Sequence, residues 1–161
     1  MNKQVISAAD RIIKKMDKIP MFNYRDRAGA FLINDYQYFG NDVIAIRTKN
    51  YIPVYKDLQK NVEPPPYEKF IDDASSNCGE VLDLPSLPEL KEYIKTKKAE
   101  KVKPVLWDFG ENLPQVNAEF LKDVIIIMGN CEVIASKHKT ITSAIYFKND
   151  STEAILMPMR K

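Results

Sequence analysis

The residues with which this chain could attempt catalysis or hold a metal are few: one histidine, two cysteines and an adjacent pair of aspartates. His138 sits in "SKHKT", where a tight turn between strands is expected. It reads as solvated surface rather than as a general base or ligand. Cys78 and Cys131 lie far apart, with no CxxC spacing and no neighbour in sequence that would lower a thiol pKa, so they read as reduced thiols. Asp72 and Asp73 fall in a stretch that reads as loop, where carboxylates are solvated. The five glycines form neither a GxGxxG nor a GxxxxGK arrangement, which leaves no phosphate loop. No catalytic set, metal site or cofactor is expected, and the chain is not read as an enzyme.

Two other features carry more information. Arg11, Lys14, Lys15 and Lys18 recur at i, i+3, i+4, i+7 within "SAADRIIKKMDKI", opposite a second stripe of Ala9, Ile12, Ile13 and Met16. The apolar stripe predicts a helix over 7–19, capped by Ser7 with Asp10 in the capping-box position and stopped by Pro20. The basic stripe is open to two readings: a solvated face, or contact with phosphate, which needs cations and no base-specific groups. The second feature is the end of the chain, "ILMPMRK". Chain ends are usually polar and small, so an apolar end must be tied to something, either the protein's own core or a partner.

Weaker signals resolve toward structure. "PPPY" at 64–67 matches a polyproline-type ligand but reads as a stiff loop. Trp107 and the tyrosines of "DYQYF" could stack on bases, yet aromatics on strands are more often core.

The remaining elements have to position these features. A length of 161 residues with 45% hydrophobic and 29% charged residues suits one domain with its own core. A net charge of +2 does not by itself demand a nucleic acid or a membrane. The longest apolar run, Val124 to Met128, is too short to span a bilayer, no signal segment opens the chain, and a cytoplasmic location is expected. Turn residues at Asn34-Asp35 and Gly40-Asn41-Asp42 separate two or three antiparallel strands between about 28 and 48. Residues 49–103 read as an insertion or long loop containing one short helix, with Ser86 and Glu89 as a capping box. A strand at "KPVLWDF" follows, then a helix from the N-cap Asn117 to Gly129. Strands at "CEVIASK" and "TITSAIYFK" and a final strand "EAILMPM" close the chain. The order predicts an α+β domain, with two helices on one face of a mostly antiparallel sheet.

"NAEFLKDVI", then two strands, then "AILMPMRK" resembles the last half-domain of the bacterial DNA polymerase III β subunit, the sliding clamp. Asn117 and Phe120 match the start of that family's helix; Met157, Pro158, Met159 and Arg160 match its tail. The match is strongest over 104–161 and looser over 1–48. It implies one DNA-clamp-like domain over 1–161, built of two pseudo-symmetric halves, about 1–48 and 104–161, around an insertion of about 49–103. It further implies that Arg11, Lys14, Lys15 and Lys18 face the backbone of double-stranded DNA. Asn117, Phe120, Leu156, Met157, Pro158, Met159 and Arg160 would form part of a groove for short peptides of DNA polymerase or other clamp-binding proteins. The expected function is a non-enzymatic processivity factor of DNA replication or a mobile element, acting as a self-assembled homo-oligomeric ring. The alternative is an adaptor that keeps the fold without encircling DNA.

Overall fold

The computed structural model describes residues 2–18, 27–57, 63–138 and 140–159. Helix α1, Lys3–Asp17, starts earlier than Ser7: Asn2 is the N-cap, and its side chain accepts from the Gln4 amide at 2.8 Å. Ser7 is therefore an exposed residue inside the helix. The Asp10 carboxylate accepts instead from the Tyr55 amide at 2.9 Å. The predicted stripe of Ala9, Ile12, Ile13 and Met16 is buried. Pro20 lies outside the described residues.

Three strands follow as a meander: β1, Phe31–Ile33; β2, Tyr36–Gly40; β3, Ile44–Thr48. Asn34 and Asp35 both take positive φ, as a tight two-residue hairpin turn requires. In the insertion, α3, Leu87–Ala99, forms with the predicted Ser86–Glu89 capping box. The rest of that region is more regular than a loop. Helix α2, Tyr67–Ser75, and strand β4, Cys78–Leu82, were not expected, and they place Asp72 and Asp73 on a helix. Strand β5, Leu106–Asp108, pairs with β6, Gln115–Asn117, in a small sheet of its own. Then come α4, Ala118–Met128; β7, Glu132–Ser136; β8, Ile145–Lys148; and β9, Thr152–Leu156.

The main sheet has seven strands in the order β1-β2-β3-β9-β8-β7-β4, antiparallel throughout. Apart from β4, that order reads the same from either end. Each meander is preceded by a helix, and α1 and α4 pack side by side on one face. The symmetry reaches single residues. "YFGND" at 38–42 and "YFKND" at 146–150 occupy equivalent places, and Phe39 and Phe147 are both fully buried. Asn41 accepts from the amides of Val43 and Ile44 at 2.8 and 2.9 Å and donates to the Ile12 carbonyl of α1 at 3.2 Å. Asn149 accepts from the amides of Ser151 and Thr152 at 3.0 and 2.9 Å and donates to the Met128 carbonyl of α4 at 2.7 Å. Each asparagine thus closes a turn and ties it to the helix of its own half. The central pair β3–β9 is in register about Ile46 and Ala154, which have the same separation as the two motifs. The halves differ at Gly40, where any Cβ would collide with the Ile44 carbonyl, whereas Lys148 fills the matching place in the second turn.

Side chains alternate along the central strands. Ile44, Ile46, Ala154 and Leu156 join α1 and α4 in the larger core. Ala45, Tyr38, Tyr146 and Ile155 face the other way and are covered by Tyr67 and Ile71 of α2. The two expected helices, α1 and α4, share one face; the unexpected α2 covers the opposite face, and α3 flanks α4. None of the described helices is long and apolar enough to cross a membrane.

Candidate functional site

The basic stripe of α1 is exposed, as expected, but its members differ in freedom. Arg11 donates to Asp123 on α4, with Nη2 2.7 Å from Oδ1, and Asp123 is buried. The charge of Arg11 is therefore answered within the fold. Lys14 lies over the Tyr55 ring at 5.1 Å and Lys15 over the Phe120 ring at 5.4 Å. Both ammonium groups stay at the surface. Lys18 is exposed at the C-cap of α1.

The residues expected to form a peptide groove separate into three groups. Met157, Pro158 and Met159 line a groove of about 520 Å³ together with Leu113, Ile141, Asp108 and Glu111. The tail is held there by two backbone bonds, Met157 N–H to the Val43 carbonyl at 2.8 Å and Met159 N–H to the Gln115 carbonyl at 2.9 Å. Leu156 does not belong to this groove. It is fully buried under α4, because its place on β9 turns it to the helix face while Ile155 faces away. Asn117 and Phe120 are not among the groove's lining residues. The Asn117 side chain caps α4, accepting from the amides of Glu119 and Phe120 at 2.9 and 3.2 Å. Phe120 packs half-buried against the helix-side core. Arg160 lies outside the described residues.

A second cavity, of about 510 Å³, opens between α2 and the outer face of the sheet. Tyr67, Phe70, Ala45, Tyr146 and Ile155 line it, and Met157 borders both this cavity and the tail groove. His138 is exposed in the turn after β7, as expected, with Nε2 3.3 Å from Asn77 Oδ1 at this cavity. Pro65 and Tyr67 of "PPPY" are buried where α2 begins, so the motif is not presented as an extended ligand.

A charged network also ties α2 to the sheet. Arg47 pairs with Glu153 at 2.6 Å and with Asp72 at 2.9 Å, and it donates to the Tyr38 hydroxyl at 3.3 Å. The Tyr146 hydroxyl donates to the other oxygen of Glu153. Burial and that carboxylate together push the Tyr146 phenol well above its ordinary range. Sequence reading treated Tyr38 as a stacking candidate and overlooked Arg47. A lone arginine inside an otherwise apolar strand pattern was the available signal. Trp107 meets Tyr93 edge-on at 5.1 Å and packs on the core rather than standing free.

Among the described residues, no group of three or more His, Cys, Asp and Glu side chains is placed to hold a metal ion. Both cysteines are free thiols. Burial pushes the Cys131 thiol up to about 11, whereas Cys78 is exposed. Iodoacetamide at neutral pH is expected to modify Cys78 first, as read by peptide mass spectrometry. The Cys131 rate should rise about tenfold per pH unit until its pKa is reached, because the thiolate is the reactive form.

Comparison of the chain with family models, with characterised proteins and with solved structures finds no match.

Proposed function

We propose that this chain is a clamp-type module that acts without catalysis. Its helix face meets the DNA backbone, its tail groove takes short apolar peptides, and copies of it assemble around DNA. The observation that carries this reading is the pseudo-two-fold: two helix-plus-meander halves joined through β3 and β9, with α1 and α4 side by side on one face. A clamp-type ring needs repeated units of this kind, each presenting paired helices inward and sheet outward. The exposed Met157 beside Pro158 and Met159 supports the peptide contact, since a large side chain held at a groove mouth suits a peptide anchor.

Lys14 and Lys15 are the residues on which the DNA contact is tested. Arg11 is a poor probe, because removing it strands the buried Asp123. The double variant Lys14→Glu, Lys15→Glu is expected to keep the circular dichroism spectrum and melting temperature of the parent. It should lose about tenfold or more in affinity for random-sequence duplex at low salt. Unchanged affinity would return the stripe to the role of a solvated face.

One observation favours the adaptor reading as a second possibility. The insertion places β4 outside β7, with a register shift between Cys78 and Val81, and bulged edges resist strand-to-strand extension. Light scattering with and without DNA separates the two: a closed hexamer supports the ring, and a monomer or dimer under both conditions supports the adaptor.

A further inference from the structure

We infer that α3, the helix supplied by the insertion, completes a phosphate seat on the helix face, at the junction of α1, α3 and α4. This rests on the reading that the helix face meets DNA, and it moves the strongest contact away from the α1 stripe. A shallow concavity of about 430 Å³ is lined there by Lys3 and Arg11 of α1, Lys122 of α4 and Lys91 of α3. Gln4 and Ser7 add hydrogen-bonding groups, and Ile126 is the only large apolar side chain in the lining.

The charge balance of this place is one-sided. Among the described residues no carboxylate lines it, and Asp123, the acid that touches one of its members, is neutralised by Arg11. Lys3, Lys91 and Lys122 make no ion pair within 4 Å among the described residues. Glu119, the next acid along α4, is held by Lys98 at 2.5 Å. Three ammonium groups from three separate helices, of which Lys122 is partly answered by Glu119 one turn back, thus line one concavity beside a guanidinium that is half exposed. With no aromatic platform and no base-reading fork free, such a surface suits successive phosphates of a nucleic-acid backbone rather than bases.

The helix that brings Lys91 is fixed. Leu90 and Ile94 are buried against the α1–α4 core, and Tyr93 donates to the Leu106 carbonyl at 2.7 Å. The Lys98–Glu119 pair ties α3 to α4 a second time. An insertion serving only as a spacer would not need to dock a lysine-rich helix on the face that carries the other cations.

The test is fluorescence anisotropy with a labelled random-sequence duplex over a series of salt concentrations, using the full chain. The double variant Lys91→Glu, Lys122→Glu is expected to lose about tenfold or more in affinity at low salt. The slope of log K against log salt should fall in magnitude by roughly 0.9 for each phosphate contact removed. Lys69→Glu, on α2 across the sheet, serves as the control and should stay within about twofold of the parent. Melting temperatures and spectra verify that each variant folds.

If Lys14→Glu, Lys15→Glu weakens binding while Lys91→Glu, Lys122→Glu does not, the seat is refuted and the DNA-facing reading survives. If the unmodified chain does not hold duplex at low salt, both are refuted. Inorganic phosphate is titrated as a competitor: displacement only at high concentration supports a polymer backbone as occupant. Binding of free phosphate with no retention of duplex overturns it.

Discussion

Arg47→Met should lower the stability of the fold by about 3 kcal/mol, seen as a fall of roughly 10 °C in melting temperature. The size follows from burial. The Arg47 side chain is 13% exposed and that of Glu153 23%, so removing the cation leaves a carboxylate with little water and only the Tyr146 hydroxyl to answer it. The second partner, Asp72, is 55% exposed and contributes much less, because water competes for it. Loss of the arginine also frees α2 from the sheet at its charged attachment, leaving Tyr67 and Ile71 as its apolar anchors. Arg47→Met combined with Glu153→Leu should recover most of the loss, since a buried pair replaced by apolar groups of similar volume is close to neutral. A single variant within about 1 kcal/mol of the parent in chemical denaturation would show that the network is wet and that α2 is held by packing alone.

Leu156→Ala should cost about 3 kcal/mol, while Met157→Ala, one residue further, should cost less than about 1 kcal/mol. Leu156 is fully buried in the helix-side core, whereas Met157 is 39% exposed between two cavities. The two variants thereby separate the structural and binding roles of the tail. The first should shift the denaturation midpoint and leave peptide binding proportional to the folded fraction. The second should leave the midpoint nearly unchanged and weaken any peptide that occupies the groove. Truncation after Leu156 removes the bonds from Met157 to Val43 and from Met159 to Gln115 but keeps the core intact. A truncated chain that does not fold would assign the tail to the core.

Much of the local structure could be read from the sequence because it rests on short-range chemistry. The apolar stripe of α1, the Ser86–Glu89 box of α3, the Asn117 cap and Gly129 stop of α4, and the turn at Asn34-Asp35 all depend on residues within one or two turns of each other. The repeat "YFGND" and "YFKND" was also present in the sequence and went unread, although it marks the two halves more directly than either helix does. Helix α2 went unread for a different reason: Tyr67, Phe70, Ile71 and Ala74 do keep an i, i+3, i+4, i+7 spacing, but the helix is only nine residues long and follows a run of prolines that reads as loop. Strand β4 is mostly exposed and exists because β7 offers it an edge.

The sequence by itself determined α1, α3, α4 and the strands bounded by clear turns, with their order, since caps, turns and periodicity act locally; β4, which depends on the edge of β7, was left to the tertiary structure. Only the tertiary structure decided which surface each side chain serves. It turned Leu156 inward and left Met157 outward through the alternation of one strand, and it neutralised Arg11 by setting Asp123 of a distant helix against it. By packing α3 beside α4 it gathered Lys3, Lys91 and Lys122 into one place. Such groupings depend on contacts between residues far apart in the chain, and no local pattern encodes them.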